Sequence, residues 1–219
     1  MSEALDPRGA ISVRARFDRL PTSLKGALIL RGEDPNPHQV AFHDVRVAPV
    51  AGDDLAGKRV PVAAQVVHVA PRRDVFVPFE VGLADLDPGW YAFRCAVAVD
   101  GIDAEFDGGK RFAIAWPRGA VRRGAVAVGG AIALGGSTVR VDQLDCAGDS
   151  VKIAFVADPP IRPTAVAEAD GEPLPVLEVE ADDAGKGRVV TYPLLKEHRA
   201  FRLELRADGA SAALDVSLG

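Results

Sequence analysis

The sequence predicts an all-β protein of two antiparallel β-sandwiches in tandem, and three observations predict it. Apolar and polar residues alternate with a period of two over many short runs, the pattern of half-buried strands. The 22 glycines and 16 prolines are spread along the chain as turn punctuation, with no low-complexity tract. No apolar stripe of useful length repeats with the 3.6-residue period of a helix. At 219 residues the chain exceeds one sandwich of about 100 residues and fits two. A hydrophobic content of 48% suffices for two cores.

The first strand is predicted where Ile11, Val13, Ala15 and Phe17 alternate with Ser12, Arg14, Arg16 and Asp18. Leu20-Pro21-Thr22 turns the chain into residues 26–31, apolar on both faces and therefore central in a sheet. The loop over residues 33–38 carries Pro35 and Pro37, which cannot donate to a ladder. Over residues 39–47 the apolar parity switches from Val40 and Phe42 to Val45 and Val47, which predicts a β-bulge near His43-Asp44. Residues 58–69 read as one or two short strands of open register. Val75, Val77, Phe79 and Val81 alternate cleanly after them.

Residues 86–116 are the centre of the first half. Tyr91, Phe93, Cys95, Val97 and Val99 face one side of a strand, and Trp90, Ala92, Arg94, Ala96 and Ala98 face the other. Asp87-Pro88-Gly89 precedes this strand, and Asp100-Gly101, a dipeptide suited to a tight hairpin, follows it. Two registers then compete. A two-residue turn sets Val99 opposite Ile102 and Cys95 opposite Phe106, with Gly108-Gly109 ending the pairing. A longer loop over residues 100–109 sets Val97 opposite Phe112 and Cys95 opposite Ile114. Both keep the apolar faces together, so parity does not choose. The longer loop is favoured because it returns the chain to the start of the preceding strand as Trp116 is reached.

An Asp-x-Gly-x-Tyr run, here Asp87, Gly89 and Tyr91, resembles the tyrosine corner of immunoglobulin-like sandwiches. The resemblance implies a Tyr91 ring in the core whose hydroxyl caps a nearby backbone group, and two tandem immunoglobulin-like domains. The chain departs from antibody domains at Phe93, where their second cysteine falls, and no cysteine occurs earlier, so no inter-sheet disulfide forms. A likeness at fold level implies no function by itself.

Trp116-Pro117-Arg118-Gly119 reads as the boundary, giving domains 1–117 and 118–219. In the second half, strands are predicted at 121–128, 131–134, 138–144 and 151–156. Residues 164–169 and 174–179 form a hairpin about Asp170-Gly171, and 189–194 follows. A last hairpin joins Phe201, Leu203 and Leu205 through Asp208-Gly209 to Ala212, Leu214, Val216 and Leu218.

A net charge of −5 disfavours a nucleic-acid or anionic-membrane partner. The basic groups Arg72-Arg73 and Lys110, Arg111, Arg118, Arg122, Arg123 lack interleaved aromatics and read as solvated loops. No stretch approaches the roughly 20 apolar residues of a membrane span. The N-terminus lacks a charged start followed by an apolar run, and Cys95 and Cys146 fall in different domains, so a reducing cytoplasm is expected.

Chemistry leaves little trace. His38 and His43 flank the acids Glu33, Asp34 and Asp44, the one grouping from which a metal-dependent enzyme could be built. Zinc needs three or four converging ligands, and a five-residue offset across a loop–strand boundary guarantees none; surface histidines are expected instead. Asp103, Glu105 and Asp107 imitate a calcium loop, but its twelfth position is Ile114. The three acids read as the solvated face of a guarded edge strand, and Glu178, Glu180, Asp182 and Asp183 as a solvated face too. No nucleophile elbow, P-loop or dinucleotide fingerprint occurs. No cofactor is expected.

The feature above background is the outer face of the central strand. Trp90, Ala92, Arg94, Ala96 and Ala98 are small and flat with one Trp and one Arg, composition that suits contact with protein. The expected partner is the second domain of the chain or another protein. The sequence thus predicts a non-enzymatic interaction or assembly module. A carbohydrate-binding module using Trp90 or Trp116 is the first alternative, and a metal-dependent enzyme the second.

Overall fold

The computed structural model describes residues 6–51, 57–117 and 119–219. The fold is all-β and sandwich-like, with four antiparallel sheets. The chain divides into two compact units, Met1–Ile114 and Ala115–Gly219. Arg118, within the expected boundary, lies outside the described residues, as does the start of the chain, residues 1–5.

Unit 1 opens on one helical turn, α1 (Pro7–Ala10), capped by the Asp6 carboxylate, which accepts from the Arg8 N–H at 3.1 Å. Then come β1 (Ile11–Arg19), β2 (Ser23–Gly32), β3 (His38–Pro49), β4 (Lys58–Arg59), β5 (Val66–Val69), β6 (Asp74–Gly82), β7 (Gly89–Val99) and β8 (Ile102–Ile114). One sheet has the order β1-β2-β6. The other has the order β4-β3-β7-β8, with β5 also on β3. The predicted bulge in β3 is present, as a register shift against β7 between Phe42 and Asp44.

The inward rows of both sheets meet in one core. Phe93 is at its centre, fully buried, with the rings of Phe79, Phe17 and Phe112 at 4.7, 5.4 and 6.4 Å. The tyrosine corner forms as its motif implies. Tyr91 is 7% exposed, stacks on Phe112 at 5.9 Å, and its hydroxyl donates to the Asp87 carbonyl at 2.9 Å.

The β7–β8 hairpin takes the two-residue turn, correcting the favoured longer loop. Val99 pairs with Ile102 and Cys95 with Phe106. Asp100 and Gly101 have φ of 49° and 84°, the two left-handed residues of a type I′ turn, whose twist matches that of the strands it joins. Gly108-Gly109 does not end the pairing either. It is absorbed as a bulge opposite Phe93, and the ladder resumes from Ala92↔Arg111 to Gly89↔Ile114. Glycine is needed there: a Cβ on Gly108 would stand 2.8 Å from the Cβ of Phe93 and 3.2 Å from that of Ala15.

Unit 2 comprises β9 (Gly124–Leu134), β10 (Ser137–Cys146), β11 (Val151–Asp158), β12 (Thr164–Ala169), β13 (Glu172–Leu174), β14 (Val176–Ala181), β15 (Lys186–Thr191), β16 (Ala200–Ala207) and β17 (Ala210–Ser217). Its sheets have the orders β14-β15-β11-β10-β9 and β13-β12-β16-β17 around a second core. Two expectations are corrected. Residues 124–134 form one strand, bulged against β10 near Gly129 (φ 58°), where two strands were expected. The hairpin partner of β12 stops at Leu174, before Pro175. Residues 176–181 then pair with β15 in the other sheet. Pro173 and Pro175 have no N–H to extend the hairpin ladder, so the chain leaves it.

Candidate functional site

The outer face of β7 is less accessible than its composition implies. Ala92 and Ala98 are 1% and 8% exposed, so neither can serve as contact surface. Trp90, Arg94 and Ala96 are half-buried. Register explains the rest. Ala96 lies between Asp44 and Glu105, Arg94 between Arg46 and Asp107, and Ala92 between Ala48 and Arg111. Arg94 binds Asp107 at 2.9 Å, and Arg46 binds Asp44. The face is an alanine floor between charged side chains from the neighbouring strands, with a higher charge density than β7 alone shows. As expected, Asp103, Glu105 and Asp107 lie together on it, along the edge strand β8.

Neither tryptophan is a free platform. Trp90 is half-buried, and Trp116 meets the Tyr192 ring edge-on at 5.6 Å.

His38 corrects the expectation of a surface histidine. It is 3% exposed and held between two carboxylates, with Nδ1 at 2.7 Å from Asp100 and Nε2 at 2.7 Å from Asp34. The other Asp100 oxygen accepts from the Gln39 N–H at 2.8 Å. The hairpin turn thereby grips the start of β3 and the loop before it. Asp170, in the corresponding turn of unit 2, accepts likewise from the N–H groups of Arg199 and Ala200, at 2.9 and 2.7 Å. His43 stands apart on the outer face, 3.1 Å from Asp103. The two histidines do not share a site, and among the described residues no three His, Cys, Asp or Glu side chains converge as metal ligands.

Burial, the largest single influence on His38, lowers its pKa, but the Asp100 and Asp34 carboxylates together outweigh it and the net shift is upward. Asp34 is lowered chiefly by the His38 bond, and Asp100 by the Gln39 N–H and then His38. The sign for His38 follows from its raised value. Its stabilisation is complete below the unfolded value of about 6.5 and is lost as pH rises through the folded one. The carboxylates contribute above their unfolded value of about 3.9 and lose this as pH falls through their lowered folded values. Urea unfolding of the parent and of His38→Gln should therefore differ most in mildly acidic solution, with the gap closing as pH rises through the folded His38 value. A gap independent of pH would show that the ring is not an imidazolium.

A cleft of about 540 Å³ beside the start of β1 is lined by Arg8, Ile11, Val13, Cys95 and Phe106 among others. Burial pushes the Cys95 thiol up to about 12, so it stays protonated and is no nucleophile.

A surface missed in the sequence lies on the three-stranded sheet. Phe76 is 58% exposed, the most exposed large hydrophobic side chain among the described residues. It pairs in register with Ile29, and Ala27↔Pro78 is the next outward row. Charged residues surround this centre: Arg14 and Arg16 on β1, Lys25 and Arg31 on β2, Asp74 and Glu80 on β6. The signal was present in the alternation of Val75, Val77, Phe79 and Val81, which turns Phe76 outward.

Neither a family model nor a curated protein matches the sequence. Among solved structures, the chain is similar to a conserved domain protein from Bacillus anthracis (10% identity, TM-score 0.39, covering 96% of this chain and 88% of that one). It is also similar to the E. coli chaperone DraB (12%, 0.36, 95% and 98%) and to a protein of unknown function from Porphyromonas gingivalis W83 (12%, 0.35, 96% and 100%). At these TM-scores none of them assigns a function or a fold family.

Proposed function

We propose that the chain is a non-enzymatic interaction or assembly module of two immunoglobulin-like domains, acting in the cytoplasm and binding protein through the outer face of the β1-β2-β6 sheet. The exposed Phe76 carries this reading. A large aromatic on an uncharged centre of Ile29, Ala27 and Pro78, inside a charged rim, has the anatomy of a protein contact. The side chains from which an enzyme would be built are otherwise engaged. Both nitrogens of His38 are held by carboxylates, and the Cys95 thiol is protonated. Both cysteines are free and buried, which agrees with a reducing compartment, and among the described residues no helix is long and apolar enough to cross a membrane.

Pull-down from native lysate with the parent chain and with Phe76→Ser tests the proposal. The substitution removes an exposed ring and leaves the core intact, so the variant should fold and lose the proteins the parent captures. An unchanged set of captured proteins would remove this face from the function.

A further inference from the structure

Asp34, His38 and Asp100 join a loop to a turn, and we infer that the proton shared among them is a latch. While His38 is charged, the loop over residues 33–37 is held to the β7–β8 turn; when the ring loses a proton, the loop is released. The device is independent of the Phe76 face.

The ring is buried, and each of its nitrogens lies 2.7 Å from a carboxylate oxygen, Nδ1 from Asp100 and Nε2 from Asp34. Only an imidazolium donates from both nitrogens; a neutral ring has one N–H and one lone pair. Loss of a proton to solvent therefore sets a lone pair against a carboxylate at hydrogen-bonding distance. One of the two contacts must then open.

The two carboxylates are anchored unequally. Asp100 is in the type I′ turn and is tied to Gln39 twice. Its N–H donates to the Gln39 carbonyl at 2.8 Å, and its second carboxylate oxygen accepts from the Gln39 N–H at 2.8 Å. Asp34 has no such anchor. The oxygen that meets His38 also accepts from the Asn36 N–H at 2.9 Å, a bond internal to the loop. Among the described residues no other hydrogen bond joins residues 34–37 to the rest of unit 1, and Pro35 and Pro37 have no N–H to offer. A neutral ring thus keeps its Nδ1–H on Asp100 and lets Asp34 go.

The charges that act on the ring are those of Asp34 and Asp100. Glu33 is turned away, accepting from the Ser12 hydroxyl. On β5, Val69 is opposite His38, while the exposed His68 is opposite Gln39 and so faces the other side of the sheet. Because the two carboxylates raise the ring above its usual value of about 6.5, the latch is closed in mildly acidic solution and opens as pH rises through the raised value.

Nuclear magnetic resonance of the full chain through the His38 titration tests the latch. Both ring nitrogens should carry protons below the midpoint, and only Nδ1 above it. Across the same midpoint the backbone order parameter of Asn36 should fall from about 0.85, the rigid value, to below about 0.6, while Gln39 and Asp100 stay rigid. Asp34→Ala, a substitution in a loop outside the core, should leave Asn36 mobile on both sides of the midpoint. An Asn36 order parameter that does not change through the titration overturns the latch, as does a rigid Asn36 in Asp34→Ala. A ring that never carries both protons overturns it too, and so does loosening at Asp100 in place of Asn36.

Discussion

Phe93→Ala should destabilise unit 1 by about 3–5 kcal/mol. The side chain is fully buried, and three other phenylalanine rings converge on it from β1, β6 and β8. Truncation loses the transfer free energy of the ring and leaves a cavity that those partners cannot close, because each is fixed by its own strand register. Domains of this size are typically stable by about 5–15 kcal/mol, so the variant should approach the limit of folding. Trp90 emission during urea unfolding, in a Trp116→Phe background, reports on unit 1. A loss below about 1 kcal/mol would mean that the aromatic cluster does not hold the two sheets together.

Tyr91→Ala should cost a similar amount, about 3–5 kcal/mol, for two separable reasons. The ring fills space against Phe112, and the hydroxyl satisfies the Asp87 carbonyl. Tyr91→Phe keeps the first and removes the second, so it should cost only about 1–2 kcal/mol. The same unfolding measurement on the pair apportions the corner between packing and hydrogen bonding. Equal losses in the two variants would assign the whole effect to the hydroxyl; no loss in either would remove the corner from the stability of unit 1.

Parity was the most reliable guide in this chain because side-chain alternation is a local property of the strand. It placed the buried rows of β1, β6 and β7, the bulge in β3 and the outward acids of β8. It also contained the exposure of Phe76, which stands one step out of phase with the half-buried Val75 and the buried Val77 on either side. Parity failed where two arrangements share it. The β7–β8 register was settled by the left-handed conformation of Asp100 and Gly101 and by a bulge that glycine alone accommodates at Gly108.

The candidate sites were less legible than the fold. Ala92 and Ala98 look like exterior residues along β7, but the β3 residues set beside them, Ala48 and Ala41, belong to a distant part of the sequence. His38 looks like a loop histidine until the hairpin turn brings Asp100 to it across 62 residues of chain. The same holds for the charged rim around Phe76, which draws on three strands.

Alternation and turn residues, read along the chain, determined that this protein is built of antiparallel strands and which of their faces are buried; that Tyr91 forms a corner was implied by the resemblance of Asp87, Gly89 and Tyr91 to a tyrosine corner. The tertiary structure alone decided which strands are neighbours, and therefore which charges stand beside which apolar side chains. Burial of a single strand is governed by residues two apart, whereas a site or a surface is assembled across strands, where sequence separation carries no information about distance.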